Sequence, residues 1–154
     1  MAKKTILCAI DFSESSLQAL KWTMIMAQLW KAEVTFLFCY RLIADDTVES
    51  LNMKRDMEAK AVSQFIEIEK SQMKATNVPY QFVLEVGFFP SRIEQFIRKT
   101  PLTLLVIGNS MIENFNEYKN LSFEQFVSTL KVPVIIAPQG IDDFVEMKSH
   151  LQKS

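Results

Sequence analysis

The groups able to do acid–base or nucleophilic chemistry are few, and their spacing limits what this chain can attempt. Among 154 residues it holds one histidine, His150, and two cysteines, Cys8 and Cys39. Both cysteines sit inside apolar runs with no CxxC or CxxH spacing, so neither a metal site nor a disulfide framework is expected. Cys8 and Cys39 fall on runs expected to be neighbouring strands, close to one another, as buried inert thiols. His150 lies in a polar C-terminal stretch, where solvation is expected. Without a second histidine or a Ser/Cys–His partner, the usual parts of catalysis are missing. No catalytic residue is assigned, and the chain reads as a non-enzyme.

The polar groups of interest instead close apolar runs. Asp11 follows Thr5–Ile10 and opens Asp11-Phe12-Ser13-Glu14-Ser15-Ser16. Its carboxylate suits a ribose hydroxyl or a metal-bound phosphate, and equally a cap on the Ser13 or Glu14 N–H. Tyr40-Arg41 follows a second run. Gly108 follows Ile107 at the end of a fourth run, and Ser122-Phe123 opens an amphipathic stretch beyond it. Ser122 can hold a phosphate, although a helix N-cap explains it without a ligand.

These groups need elements to hold them. Thr5–Ile10, Val34–Tyr40, Tyr80–Val86, Leu102–Ile107 and Val132–Ala137 read as strands. Four are almost continuously apolar, as strands covered on both faces must be, while Gln81 and Glu85 suit Tyr80–Val86 to an edge. Between them lie helical stripes. Leu17, Leu20, Met24 and Ala27 mark a helix over about Ser15 to Trp30. Met53, Met57, Ala61, Phe65 and Ile68 mark one from about Leu51 to Lys74. Phe89, Ile93, Phe96 and Ile97 mark a third, opened by Pro90 and a Ser91-x-x-Glu94 capping box. Phe123, Phe126, Val127 and Leu130 mark a fourth, opened by Ser122-x-x-Gln125. Such stripes read as core rather than cofactor contacts.

The order β-α-β-α-β-α-β-α-β with right-handed crossovers gives a parallel sheet between helix layers. Residues 1–140 form this one domain, and 141–154 a tail whose Ile141, Phe144, Val145, Lys148 and Leu151 fit a short docked helix. The composition, 49% apolar and 23% charged, is that of an ordinary globular domain. A net charge of 17 − 18 = −1 leaves no footprint for nucleic acid or an anionic membrane. No window approaches the ~18 apolar residues of a membrane span. The apolar run after Lys3-Lys4 stops at Asp11, short of the roughly 7–15 residues of an exported leader. A cytoplasmic, reduced location is expected.

Three segments together carry a family resemblance. ILCAIDFSESSLQAL, LLVIGNS and KVPVIIAP, in this order over residues 3–138, resemble the opening, fourth-strand and closing segments of universal stress protein domains. The resemblance implies strand order 3-2-1-4-5, a Rossmann-like fold of the adenine nucleotide alpha hydrolase-like type, a cytoplasmic protein, and a homodimer with or without ATP. The ATP-binding branch carries Gly-x2-Gly-x9-Gly-Ser after strand 4. Here these positions hold Gly108, Met111, Leu121 and Ser122, so two glycines are absent. Glycines there let backbone amides approach phosphates at positive φ. Met111 and Leu121 are expected to fill the phosphate space, and Ile112–Asn120 adds Glu113 and Glu117 against one lysine.

The resulting expectation is a degenerate cleft of Asp11, Ile107, Gly108, Ser122 and Phe123, with no bound cofactor. Function then rests on homodimerisation and contact with an unidentified protein partner; the alternative is an adenine-nucleotide switch with a rebuilt loop. The dimer edge is Val132, Val134, Ile135 and Ile136, an apolar run with no charge after Lys131 and therefore in need of cover.

Overall fold

Every apolar run becomes a strand, and all five pair in parallel in the order β3-β2-β1-β4-β5. The computed structural model describes residues 3–42, 48–73, 76–113, 115 and 122–138. The strands are β1 Thr5–Ile10, β2 Glu33–Tyr40, β3 Tyr80–Val86, β4 Leu104–Ile107 and β5 Val134–Ile136. The helices are α1 Glu14–Trp30, α2 Val48–Gln72, α3 Phe89–Lys99, α4 Asn109–Glu113 and α5 Phe123–Thr129. The proposed tail at 141–154, with His150, lies outside the described residues.

Alternation along the buried strands separates two cores. Ile6, Cys8, Ile10 and Phe36 face α1 and α2, joined by Leu20, Met24 and Phe65. Leu7, Ala9, Leu37 and Ile107 face the other way, against Ile93, Met111 and Phe126 of α3, α4 and α5. The chain runs outward from β1 to β3, then returns to β4 beside β1 (Ile6 opposite Leu104, Cys8 opposite Val106). That reversal leaves the carboxyl ends of β1 and β4 adjacent, at the switch point where open parallel sheets form a cleft.

Several local expectations are corrected. Cys8 and Cys39 belong to paired strands but face opposite cores, so they do not meet. The Ser91-x-x-Glu94 capping box does not form. Helix α3 starts three residues earlier, with Phe88 as an N-cap lacking a side-chain bond, because Phe89 and Pro90 are buried in its first turn. By contrast, Ser122 caps α5 with a complete capping box through Gln125. Strand β5 is only three residues long. Pro133 has no N–H for a ladder, although its carbonyl accepts from Leu105 N at 2.9 Å. The short helix α4 stands where a loop was expected.

Two tyrosines fasten α2 to the sheet. The Tyr80 hydroxyl donates to Glu69 Oε2 at 2.5 Å. This bond, with burial, pushes its pKa up to about 12. Burial, and then the adjacent Glu58 carboxylate, push Tyr40 up to about 12 as well. No helix among the described residues is long and apolar enough to cross a membrane.

Candidate functional site

Helix α1 needs partners for its first amides, and the serine-rich turn after β1 supplies them. Ser13 is the N-cap, its Oγ accepting from Ser16 N at 3.2 Å. Ser16 Oγ in turn accepts from Asp11 N at 2.9 Å. Between them Phe12 takes a left-handed backbone, φ 62°. For a non-glycine residue that conformation costs about 1–2 kcal/mol. The Phe12 ring offsets this by packing edge-on to Phe38 at 5.0 Å and Phe82 at 6.1 Å. The turn thereby aims the Asp11 carboxylate back over the start of α1.

Four side chains meet there. Asp11 Oδ1 accepts from Ser13 N at 3.0 Å and from the Ser13 hydroxyl at 2.5 Å. Asp11 Oδ2 accepts from the Ser110 hydroxyl, delivered by the first turn of α4, at 3.0 Å. Ser15 Oγ donates to Ser110 Oγ at 2.8 Å and accepts from Ser110 N at 3.0 Å. Ser13 and Ser110 hydroxyl oxygens are 2.7 Å apart. The network is half-buried and joins the turn after β1 to the turn after β4.

Gly108 has a reason of its own to be glycine. A β-carbon there would lie 2.7 Å from the Ser15 carbonyl oxygen and 3.0 Å from Ser16 N, both backbone atoms. The glycine lets α1 approach β4, and its φ lies outside the left-handed range. Close packing, rather than a phosphate, therefore accounts for it.

The sequence-derived site residues separate into two groups. Asp11 and Gly108 are brought together at the ends of β1 and β4. Ile107 is fully buried in the core. Phe123 packs on that same core, 5.7 Å from the Phe115 ring. Ser122 is engaged in its cap. Met111 departs from expectation too: it is helical and 5% exposed, its side chain in the core rather than in a phosphate space. Leu121 and most of Ile112–Asn120 lie outside the described residues. Ser13, Ser15 and Ser110 are the candidate-site residues that sequence reasoning missed as a group. The signal available was three hydroxyls flanking Asp11 and Gly108 on strands destined to be neighbours.

Among the described residues, this donor set does not fit a triphosphate. The amides of Asp11, Ser13, Ser16 and Ser110 all serve internal acceptors, and an incoming phosphate would face a carboxylate. Elsewhere the thiols are quiet: burial raises Cys8 to about 12. Burial and Glu85 raise Cys39 likewise, against a smaller opposing effect of Arg92. Among the described residues no group of three His, Cys, Asp or Glu could hold a metal ion.

A parallel sheet ordered 3-2-1-4-5, with polar groups gathered at its β1/β4 switch point, defines a Rossmann-like α/β domain. The model of the universal stress protein family matches residues 3–138, and the chain belongs to that family. The fold is shared with solved relatives. Universal stress protein UspA from Lactobacillus plantarum is 20% identical, with TM-score 0.69 over 90% of this chain and 100% of its own. A universal stress protein in complex with cAMP is 19% identical, TM-score 0.64, over 88% and 97%. One from Archaeoglobus fulgidus in complex with dAMP is 16% identical, TM-score 0.57, over 89% and 98%. A sequence search of curated proteins found no match.

Proposed function

We propose that this chain is a universal stress-type module acting by self-association and contact with a protein partner, without turnover, its nucleotide cleft closed from within. The observation that carries this reading is the bond from Ser110 to Asp11. It uses a side chain of the β4 turn to neutralise the polar demand of the β1 turn, so no phosphate is needed between them. The edge position of β5, unpaired on its outer side among the described residues, supports the homodimer. Val134 and Ile135 are half-buried there, Ile136 is 45% exposed, and no charge guards the strand.

An adenine-nucleotide switch is the second reading, favoured by the relatives solved with cAMP and dAMP. Native mass spectrometry of the purified protein, followed by calorimetric titration with ATP, AMP and cAMP, separates the two. The closed-cleft reading expects protein free of nucleotide and no saturable heat with any of the three. Saturable binding of any of them overturns it. For the dimer, Ile136→Lys is expected to lower the sedimenting mass; an unchanged mass removes β5 as the contact.

A further inference from the structure

Helix α2 has a second apolar face that the sheet does not use. Its inner stripe, including Ala61 and Phe65, lies on β2 and β3. On its outer side Leu51 is 63% exposed, and Val62 and Ile66 are each 40% exposed. With Leu84 of the edge strand β3 they border a shallow trough of about 950 Å³. The trough follows α2 from Leu51 to Lys70, about 28 Å at 1.5 Å per residue.

The spacing of residues along this trough matches its own reverse, so two copies can be set against each other antiparallel. We propose that the face is an isologous contact, α2 packed antiparallel on α2 of a second copy, with the two-fold axis beside Lys60 and Ala61. In that register Lys54 lies opposite Glu67, Glu58 opposite Ser63, and small Ala59 opposite Val62 at the centre. Toward the ends, the aliphatic stem of Arg55 covers Ile66, and that of Lys70 covers Leu51. Opposite charges and donor–acceptor pairs therefore meet twice, once on each side of the axis, and no like charges are directly opposed. A second copy is the occupant because it brings Glu67 to Lys54 and Ser63 to Glu58 on both sides of the axis, while Arg55 and Lys70 meet no opposing cation. Its apolar centre is small, so the association belongs to the weak class of interfaces rather than the permanent one. The contact lies at the β3 side of the sheet, opposite β5, and does not depend on the β5 pairing proposed above.

The test is analytical ultracentrifugation of the full chain from about 10 to 500 µM, in the Ile136→Lys background so that pairing at β5 does not contribute. Self-association is expected to persist there. Lys54→Glu and Glu67→Lys, each reversing two symmetry-related contacts, should weaken it at least about tenfold. Combined in one chain, they should restore it to within about threefold of the starting affinity. Far-UV circular dichroism confirms that each variant is folded. A monomer at every concentration, single reversals without effect, or a folded double variant that does not recover would each overturn the proposal. The last two outcomes would leave the trough to a partner other than this chain.

Discussion

Ser110 Oγ and Asp11 Oδ2 are 3.0 Å apart although 99 positions separate them in the chain. This bond spans the switch point between β1 and β4. The contact has a carboxylate acceptor, which places it among stronger hydrogen bonds, about 1.5–3 kcal/mol. The geometry of these turns and domain stability are consequently coupled: the bond between them also joins the two halves of the sheet.

Ser110→Ala should therefore destabilise the domain, by about 1–3 kcal/mol, because it removes the donor to one carboxylate oxygen and the acceptor of the Ser15 hydroxyl together, while Ser15 Oγ keeps the bond it accepts from residue 110 N. Urea denaturation measures the loss. Asp11→Asn should cost a similar amount, and the double variant should cost less than the two added. Strict additivity would mean that the two residues act independently.

Gly108→Ala should cost about 1–3 kcal/mol, since its β-carbon must displace the backbone of Ser15 and Ser16 rather than a side-chain tip. The cost should be the same with and without added nucleotide in a thermal-shift measurement. A variant as stable as the wild type would show that α1 can retreat from β4.

The strands were legible because burial on both faces left them with almost no polar residue, whereas their order was implied by the family resemblance. Leu104–Ile107 and Val34–Tyr40 admit few other readings. The Ser110–Asp11 bond at the cleft was not legible from the glycine count. Met111 was expected to block the cleft with a side chain, yet α4 begins at Asn109 and its helical turn carries Met111 to the core and Ser110 to Asp11. A single helical turn reassigns which of two adjacent residues faces the cleft, and nothing local to Gly108-Asn109-Ser110-Met111 announces that turn. Ser91-x-x-Glu94 misled for a related reason: capping-box spacing is common, and burial of Phe89 selects an earlier start.

Phe12 offers an unusual comparison of two truncations. At an ordinary core position glycine is worse than alanine. Here φ is 62°, so Phe12→Ala loses the ring and keeps the strained backbone, whereas Phe12→Gly loses the ring and relieves the strain. Phe12→Gly should be the more stable of the two by about 1 kcal/mol. The reverse order in chemical denaturation would show that the turn relaxes once the ring is gone.

Alkaline pH should release α2 from the sheet. Tyr40 and Tyr80 hold their protons up to about 12 in the folded chain, against an ordinary value of 10.0. The unfolded chain thus gives up these protons first as pH rises. Their contribution is fully present below about pH 10 and is lost progressively between about pH 10 and 12, where the unfolded state binds fewer protons. Lysines titrate in the same range, so the phenols must be isolated by difference. Tyr80→Phe removes the bond to Glu69 and should lower stability at pH 7 by about 0.5–2 kcal/mol. The double variant with Tyr40→Phe should be less stable at neutral pH but decline less steeply above pH 10 than the wild type. Parallel stability curves for the two proteins across that range would show that neither phenol is held in its protonated form by the fold.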